Sequence, residues 1–113
     1  MLDSTSGTLE RYLTLVSVRQ RLVAANIANA DTPGYKTKDI DFDAELQNSL
    51  SSNPALPSEV SGLITKNDGN NVDLDREARL LSENALRFNV ASNLLRSKLK
   101  TMHLAIQGAS SST

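Results

Sequence analysis

At 113 residues, with two Phe, two Tyr and no Trp, the chain suits one domain at most and has few large side chains for a self-contained globular core. It has no cysteine, which excludes disulfide frameworks, thiolate metal sites and thiol catalysis. A net charge of −1 leaves no footprint for nucleic acid or an anionic membrane, and no apolar run approaches the roughly 18 residues of a membrane span.

The charge is uneven along the chain. Residues 1–36 carry four Lys/Arg and three Asp/Glu, residues 37–73 carry two and seven, and residues 74–113 carry six and three. An acidic middle lies between two mildly basic arms. The opening "MLDSTSGTLERYL" has no basic start, long apolar stretch or small-residue cleavage site, so no secretory signal is expected.

From Leu9 the apolar residues keep heptad spacing: Leu9, Leu13, Val16, then polar Gln20, then Val23, Ile27 and Ala30. A second line runs Leu15, Val18, Leu22, Ala25. Two apolar faces imply more than one neighbour. The first helix is expected over residues 6–30, with Ser6 or Thr8 as cap.

It ends in "NIANADTPGYK", Asn26 to Lys36. Proline pushes the preceding residue out of the α region, and Pro33–Gly34 suits a type II turn. Upstream, Ala24, Ala25, Ala28 and Ala30 form a small-residue face, and Asn26 and Asn29 lie almost one turn apart. Two readings stand. Either the stretch is a frayed helix end with a turn, or it is a docking surface with amides for direction and a turn to aim the next segment.

Residues 31–72 read as turn and flexible connector. "SLSSNPALPSEVSG" has no helical period, "GLITK" suits a short strand and "NDGN" a turn. From Leu74 a longer run begins: Leu74, Ala78, Leu81, Ala85, Phe88, Ser92, Leu95, Leu99, Met102, Ile106. Its alternating steps of four and three predict a coiled-coil seam on a helix over residues 73–107. Asp73 is its expected N-cap, Asp75–Arg79 and Glu83–Arg87 are i,i+4 pairs, and Gly108 is its expected stop. The fold class is therefore mainly α, a hairpin of two long helices joined by an irregular connector with a short β segment.

Catalytic and metal chemistry find little support. Asp39, Asp41 and Asp43 alternate as at the start of an EF-hand loop, but Ala44 and Leu50 stand where Gly and Glu belong, so a solvated acidic loop is expected. The single histidine, His103, has no second ligand at metal spacing and reads as a helix-surface residue. There is no phosphate-cradling glycine loop. No enzyme and no cofactor are expected.

"RQRLVAANIANADTPGYK" (Arg19–Lys36) closely resembles the N-terminal signature of the flagellar basal-body rod, hook and hook-associated proteins, and "GNNVDLDREARLLSENALRFNVASNLLRSKLKTMHLAIQG" (Gly69–Gly108) resembles the matching C-terminal helix. The short length resembles the proximal-rod members. The resemblance implies a structural rod subunit that leaves the cytoplasm unfolded through the flagellar type III export apparatus without a cleaved signal. It implies helical self-assembly on the periplasmic side of the inner membrane. The implied neighbours are other rod subunits, the basal-body/export-gate junction protein and the rod-assembly cap. Asn26, Asn29, Thr32, Pro33, Gly34 and Tyr35 carry the signature. Leu9, Leu13, Val16, Val23, Ile27, Leu74, Leu81, Phe88, Leu95, Leu99, Met102 and Ile106 would form the seam. In "FDAEL", Phe42 and Leu46 resemble the Phe-x-x-x-hydrophobic element by which early subunits dock on the export gate; the same residues would also make one amphipathic helical turn. The competing class is a helical-hairpin adaptor for one soluble partner.

Overall fold

The computed structural model describes residues 4–48 and 54–111. Helix α1 (Ser4–Ala28) leads to a two-residue strand β1 (Lys38–Asp39), a short helix α2 (Phe42–Gln47), a strand β2 (Ser58–Glu59) and the long helix α3 (Leu74–Ser111). The hairpin of α1 and α3 sets an elongated shape of 73 × 25 × 17 Å. This is the mainly helical architecture expected. Part of the "SLSSNPALPSEVSG" stretch, residues 49–53, and the last two residues of "ASSST" lie outside the described residues.

Several local expectations are corrected. Helix α1 begins at Ser4, which leaves Ser6 and Thr8 inside its first turns rather than at the cap. Helix α3 runs through Gly108 to Ser111; the glycine costs helix stability but no proline comes after it to stop the chain. The strand is at Ser58–Glu59 and not in "GLITK"; it pairs antiparallel with β1, Lys38 opposite Glu59 and Asp39 opposite Ser58. Asp73 does cap α3, accepting from the Asp75 and Arg76 backbone N–H groups at 3.1 and 3.2 Å. The Glu83–Arg87 pair forms as spaced.

The two apolar faces of α1 find two neighbours within the one chain. Leu15 and Val16 join Ile40 and Phe42 in a small core, with Tyr12, Val18, Leu22, Leu46 and Ala55 packed around it. Phe42 meets Tyr12 edge-on at 5.3 Å between centroids, and the guanidinium groups of Arg19 and Arg87 lie 5.8 and 5.1 Å from its ring. The other face of α1 lies along α3.

On α3 the line that packs against α1 is Glu77, Leu80, Asn84 and Ala91, all buried. The predicted seam is out of phase with it. Leu74, Leu81, Phe88, Leu99 and Ile106 are exposed, while Leu95 and Met102 are half-buried. On α1, Val16 and Val23 of the predicted line are buried, Leu9 and Leu13 half-buried and Ile27 exposed. The seam within the chain is thus not the one with the strongest apolar period. The reason is polar: Glu77 must face Asn26, and that contact fixes the rotation of α3 about its axis.

Candidate functional site

Asn26 is the centre of the closed end of the hairpin and is 1% exposed. Its Nδ2 donates to the Lys38 carbonyl at 2.9 Å and to Glu77 Oε1 at 2.7 Å. Its Oδ1 accepts from the Tyr35 hydroxyl at 2.9 Å and from the Lys38 N–H at 3.1 Å. One amide therefore satisfies both polar groups of Lys38, as a neighbouring strand would, and ties α1 to β1 and α3 at once. All four of its hydrogen-bonding positions are used.

Glu77 is fully buried, and its second oxygen accepts from Arg76 Nη1 at 2.7 Å. Arg76 Nη2 reaches Asp39 at 2.6 Å, and Arg19 grips the same carboxylate with Nε and Nη2 at 3.1 and 2.9 Å. Asp39 also accepts from the Ile40 N–H at 2.8 Å. Burial works against the charged form of Arg76, but its bonds to Glu77 and Asp39 outweigh that and hold its pKa above the usual arginine value. Burial and the nearby Glu77 charge push the Tyr35 pKa up, so its hydroxyl keeps its proton and donates to Asn26.

The turn after α1 is locked by a second turn from the connector. Gly34 has φ +76°, and Tyr35 N–H donates to the Thr32 carbonyl at 3.2 Å, as a type II turn requires. Gly34 N–H reaches the Asp68 carbonyl at 2.9 Å, and Lys36 Nζ reaches the Gly69 carbonyl at 2.7 Å. Gly69 sits at φ +88°, where an added Cβ would lie 3.3 Å from the Gly34 Cα. Two glycines therefore let two turns meet backbone to backbone. Beside them Asn70, fully buried, donates from Nδ2 to the Asn29 and Thr32 carbonyls at 2.9 and 2.8 Å. Asn71 Oδ1 accepts from the Thr37 N–H at 2.7 Å. A side chain about 40 residues on thus braces the turn that follows α1, adding to the Thr32 and Tyr35 N–H groups that already donate to the Asn29 and Thr32 carbonyls.

Within the chain these contacts give "NIANADTPGYK" a folding role: the four hydrogen-bonding positions of Asn26 are filled, and Asn29 donates to the Ala25 carbonyl of its own helix while accepting from the Thr32 hydroxyl. Ala30 is buried; Ala24, Ala25 and Ala28 remain exposed. The acidic segment is not simply solvated either. Asp39 is buried in its arginine pair and Asp41 caps α2, accepting from Ala44 N–H at 3.3 Å. Among the described residues no His, Cys, Asp or Glu group could hold a metal; Leu50, the expected twelfth EF-hand position, lies outside them. His103 is exposed on α3. Phe42 is core, and Leu46 packs against that core.

Sequence reasoning missed Asp39, Asn70, Asn71, Arg76 and Glu77 as parts of one site. Only a weak signal existed: Glu77 and Asn84 fall seven residues apart on a line with Leu80 and Ala91, which a purely apolar count passes over.

A hairpin closed by a satisfied polar clasp, with a long apolar line left outward, is the build of a structural subunit that completes its packing with neighbours. The family model for "Flagella basal body rod protein" matches residues 13–36, the segment that builds the α1 side of the clasp. The chain belongs to the flagellar basal-body rod protein family, and it is a structural subunit of the rod, not an enzyme.

The relatives that show this share one name. The chain is 34% identical to the flagellar basal body rod protein FlgB of Salmonella typhimurium, the match covering 96% of this chain and 99% of the relative. It is 32% identical to FlgB of Escherichia coli K12, over 95% and 98%. It is also 32% identical to FlgB of Borrelia hermsii, over 86% and 91%.

Proposed function

We propose that the subunit joins the proximal rod by helical self-assembly, using the outward apolar line of α3 as its contact surface. Leaving the cytoplasm through the flagellar type III export apparatus without a cleaved signal, it would be incorporated on the periplasmic side of the inner membrane. Other rod subunits, the basal-body/export-gate junction protein and the rod-assembly cap are its proposed neighbours. One observation carries the assembly reading. Leu81, Phe88 and Ile106 are 39%, 45% and 68% exposed on a single line whose period is that of a coiled coil, and α1 already covers a different line of the same helix.

The test pairs stability with assembly. Leu81→Asp and Phe88→Asp should leave monomer helicity within a few per cent by circular dichroism and abolish motility and basal-body counts. Wild-type motility in that double variant would sink the assembly face and favour the adaptor reading, for which a complex of fixed size by sedimentation is the mark.

The export-gate role of Phe42 and Leu46 is kept as a second use of the same side chains, since a chain threaded unfolded exposes the side chains that the folded chain buries. The folded packing changes the expected phenotype. Phe42→Ala removes the centre of the core and should weaken the exported subunit as well as its secretion.

A further inference from the structure

Helices α1 and α3 pair antiparallel, with Asn26 opposite Glu77 and Gln20 opposite Asn84. At equal rise along both helices, Ser4 falls opposite about residue 100. The last turns of α3 therefore extend past α1 as a tip. The tip is basic. From residue 84 to residue 113 the chain has four Lys/Arg and no Asp/Glu, whereas residues 37–73 have two and seven. The net charge of −1 averages over these opposite regions and conceals the patch. Charge and apolar side chains are sorted around the helix. Leu95, Leu99, Met102 and Ile106 follow steps of four and three along one side, and Arg96, Lys100 and His103 follow the same steps one residue on. Leu99 and Ile106 are 43% and 68% exposed, and Arg96, Lys100 and His103 are exposed beside them. Neither Arg96 nor Lys100 has an ion-pair partner among the described residues.

We infer that the α3 tip of the free subunit lies on an anionic lipid surface, its apolar stripe set into the headgroup boundary and its cations against the headgroups. Among the described residues no helix is long and apolar enough to cross a membrane, so the tip lies along the surface and does not span it. The arrangement suits a bilayer better than another polyanion. Arg96 and Lys100 flank the stripe, so their methylene stems rest on lipid while their charged ends reach the phosphates. A nucleic acid gives Leu99 and Ile106 nothing to bury against, and residues 94–111 hold no aromatic ring on which a base could stack. One short stripe and a few cations make a weak, reversible contact.

Only the setting comes from the export and assembly reading above; the lipid contact does not depend on it. A subunit delivered on the periplasmic side of the inner membrane emerges beside a bilayer. Leu99 and Ile106 also belong to the line proposed there for contacts between subunits, so the stripe serves one use at a time. Lipid holds the free subunit beside the place of assembly, and a neighbouring subunit displaces the lipid.

The test floats the purified full chain with phosphatidylcholine vesicles, either pure or with about one quarter phosphatidylglycerol. Binding should be roughly tenfold tighter to the anionic vesicles and should fall steeply as added salt screens the attraction. Arg96→Glu with Lys100→Glu should remove that preference. Leu99→Gln with Ile106→Gln should weaken binding several-fold with the charges intact. Circular dichroism of both variants should stay at wild-type helicity, since all four side chains are exposed. Equal binding to the two kinds of vesicle overturns the proposal, as does anionic binding that survives the Arg96 and Lys100 reversal. Equal affinity for a single-stranded oligonucleotide, lost in the same reversal, marks a general polyanion site and also overturns it. Absence of the wild-type chain from basal bodies would instead defeat the rod reading and leave the vesicle result standing.

Discussion

The two ends of the hairpin are held by different physics. At the clasp end, α1, β1, the Gly69 turn and α3 meet through buried amides, carboxylates and arginines whose partners are all in the same chain. At the open end, α3 outruns α1 and presents Leu99, Leu104 and Ile106 to solvent. Hydrogen bonds are directional, and an unpaired buried polar group is costly, so the clasp admits one register and one rotation of α3. Apolar contacts carry no such direction, so the open end is free to be completed by another molecule. Specificity of fold sits at one end and capacity for association at the other.

The sharpest way to break this contrast is to remove the amide at the clasp centre. Asn26→Ala leaves Glu77, the Lys38 backbone and the Tyr35 hydroxyl short of partners. The expected loss is about 3 kcal/mol, because an unsatisfied buried group costs ~1–3 kcal/mol and one of these is a carboxylate. Alanine's better helix propensity returns only about 0.5 kcal/mol. Urea unfolding followed by circular dichroism checks it; unchanged or raised stability would return the stretch to a simple helix end.

A smaller effect sharpens the electrostatics of the same end. The Tyr35 pKa is raised in the folded chain, so the neutral phenol is the form that folding stabilises. That contribution is whole below the ordinary tyrosine value near 10 and is lost as pH rises through the higher folded value. Tyr35→Phe should cost about 1 kcal/mol at neutral pH and flatten this alkaline limb. An identical pH profile in wild type and variant would mean that the hydroxyl contributes nothing to the clasp.

The smallest effect belongs to the open end. Leu104→Ala removes an exposed side chain and should move monomer stability by no more than about 0.5 kcal/mol. A loss of about 2 kcal/mol, the size of a core truncation, would show that the tip is packed in the single chain and would erase the contrast between the ends.

How much was legible can be traced residue by residue. Both helices, the Asp73 cap and the Pro33–Gly34 turn came from period and local chemistry, because these are set within a few residues of chain. The signature was legible as a special place, but its role was not. Asn26 looks like an outward amide until Glu77, 51 positions away, is brought against it. Asp39 reads as one of three solvated acids until Arg19 and Arg76 converge on it. The apolar count on α3 found a continuous line and assigned it to the wrong partner within the chain.

The sequence by itself determined the hairpin of helices, the break between them and the existence of a second apolar line on α3, because heptad spacing and turn residues act locally. Only the tertiary structure decided which line faces inward. Helix rotation is chosen by the pairing of Asn26 with Glu77 and of Asp39 with its two arginines, contacts between distant segments whose cost of mismatch exceeds the gain from burying a few more leucines.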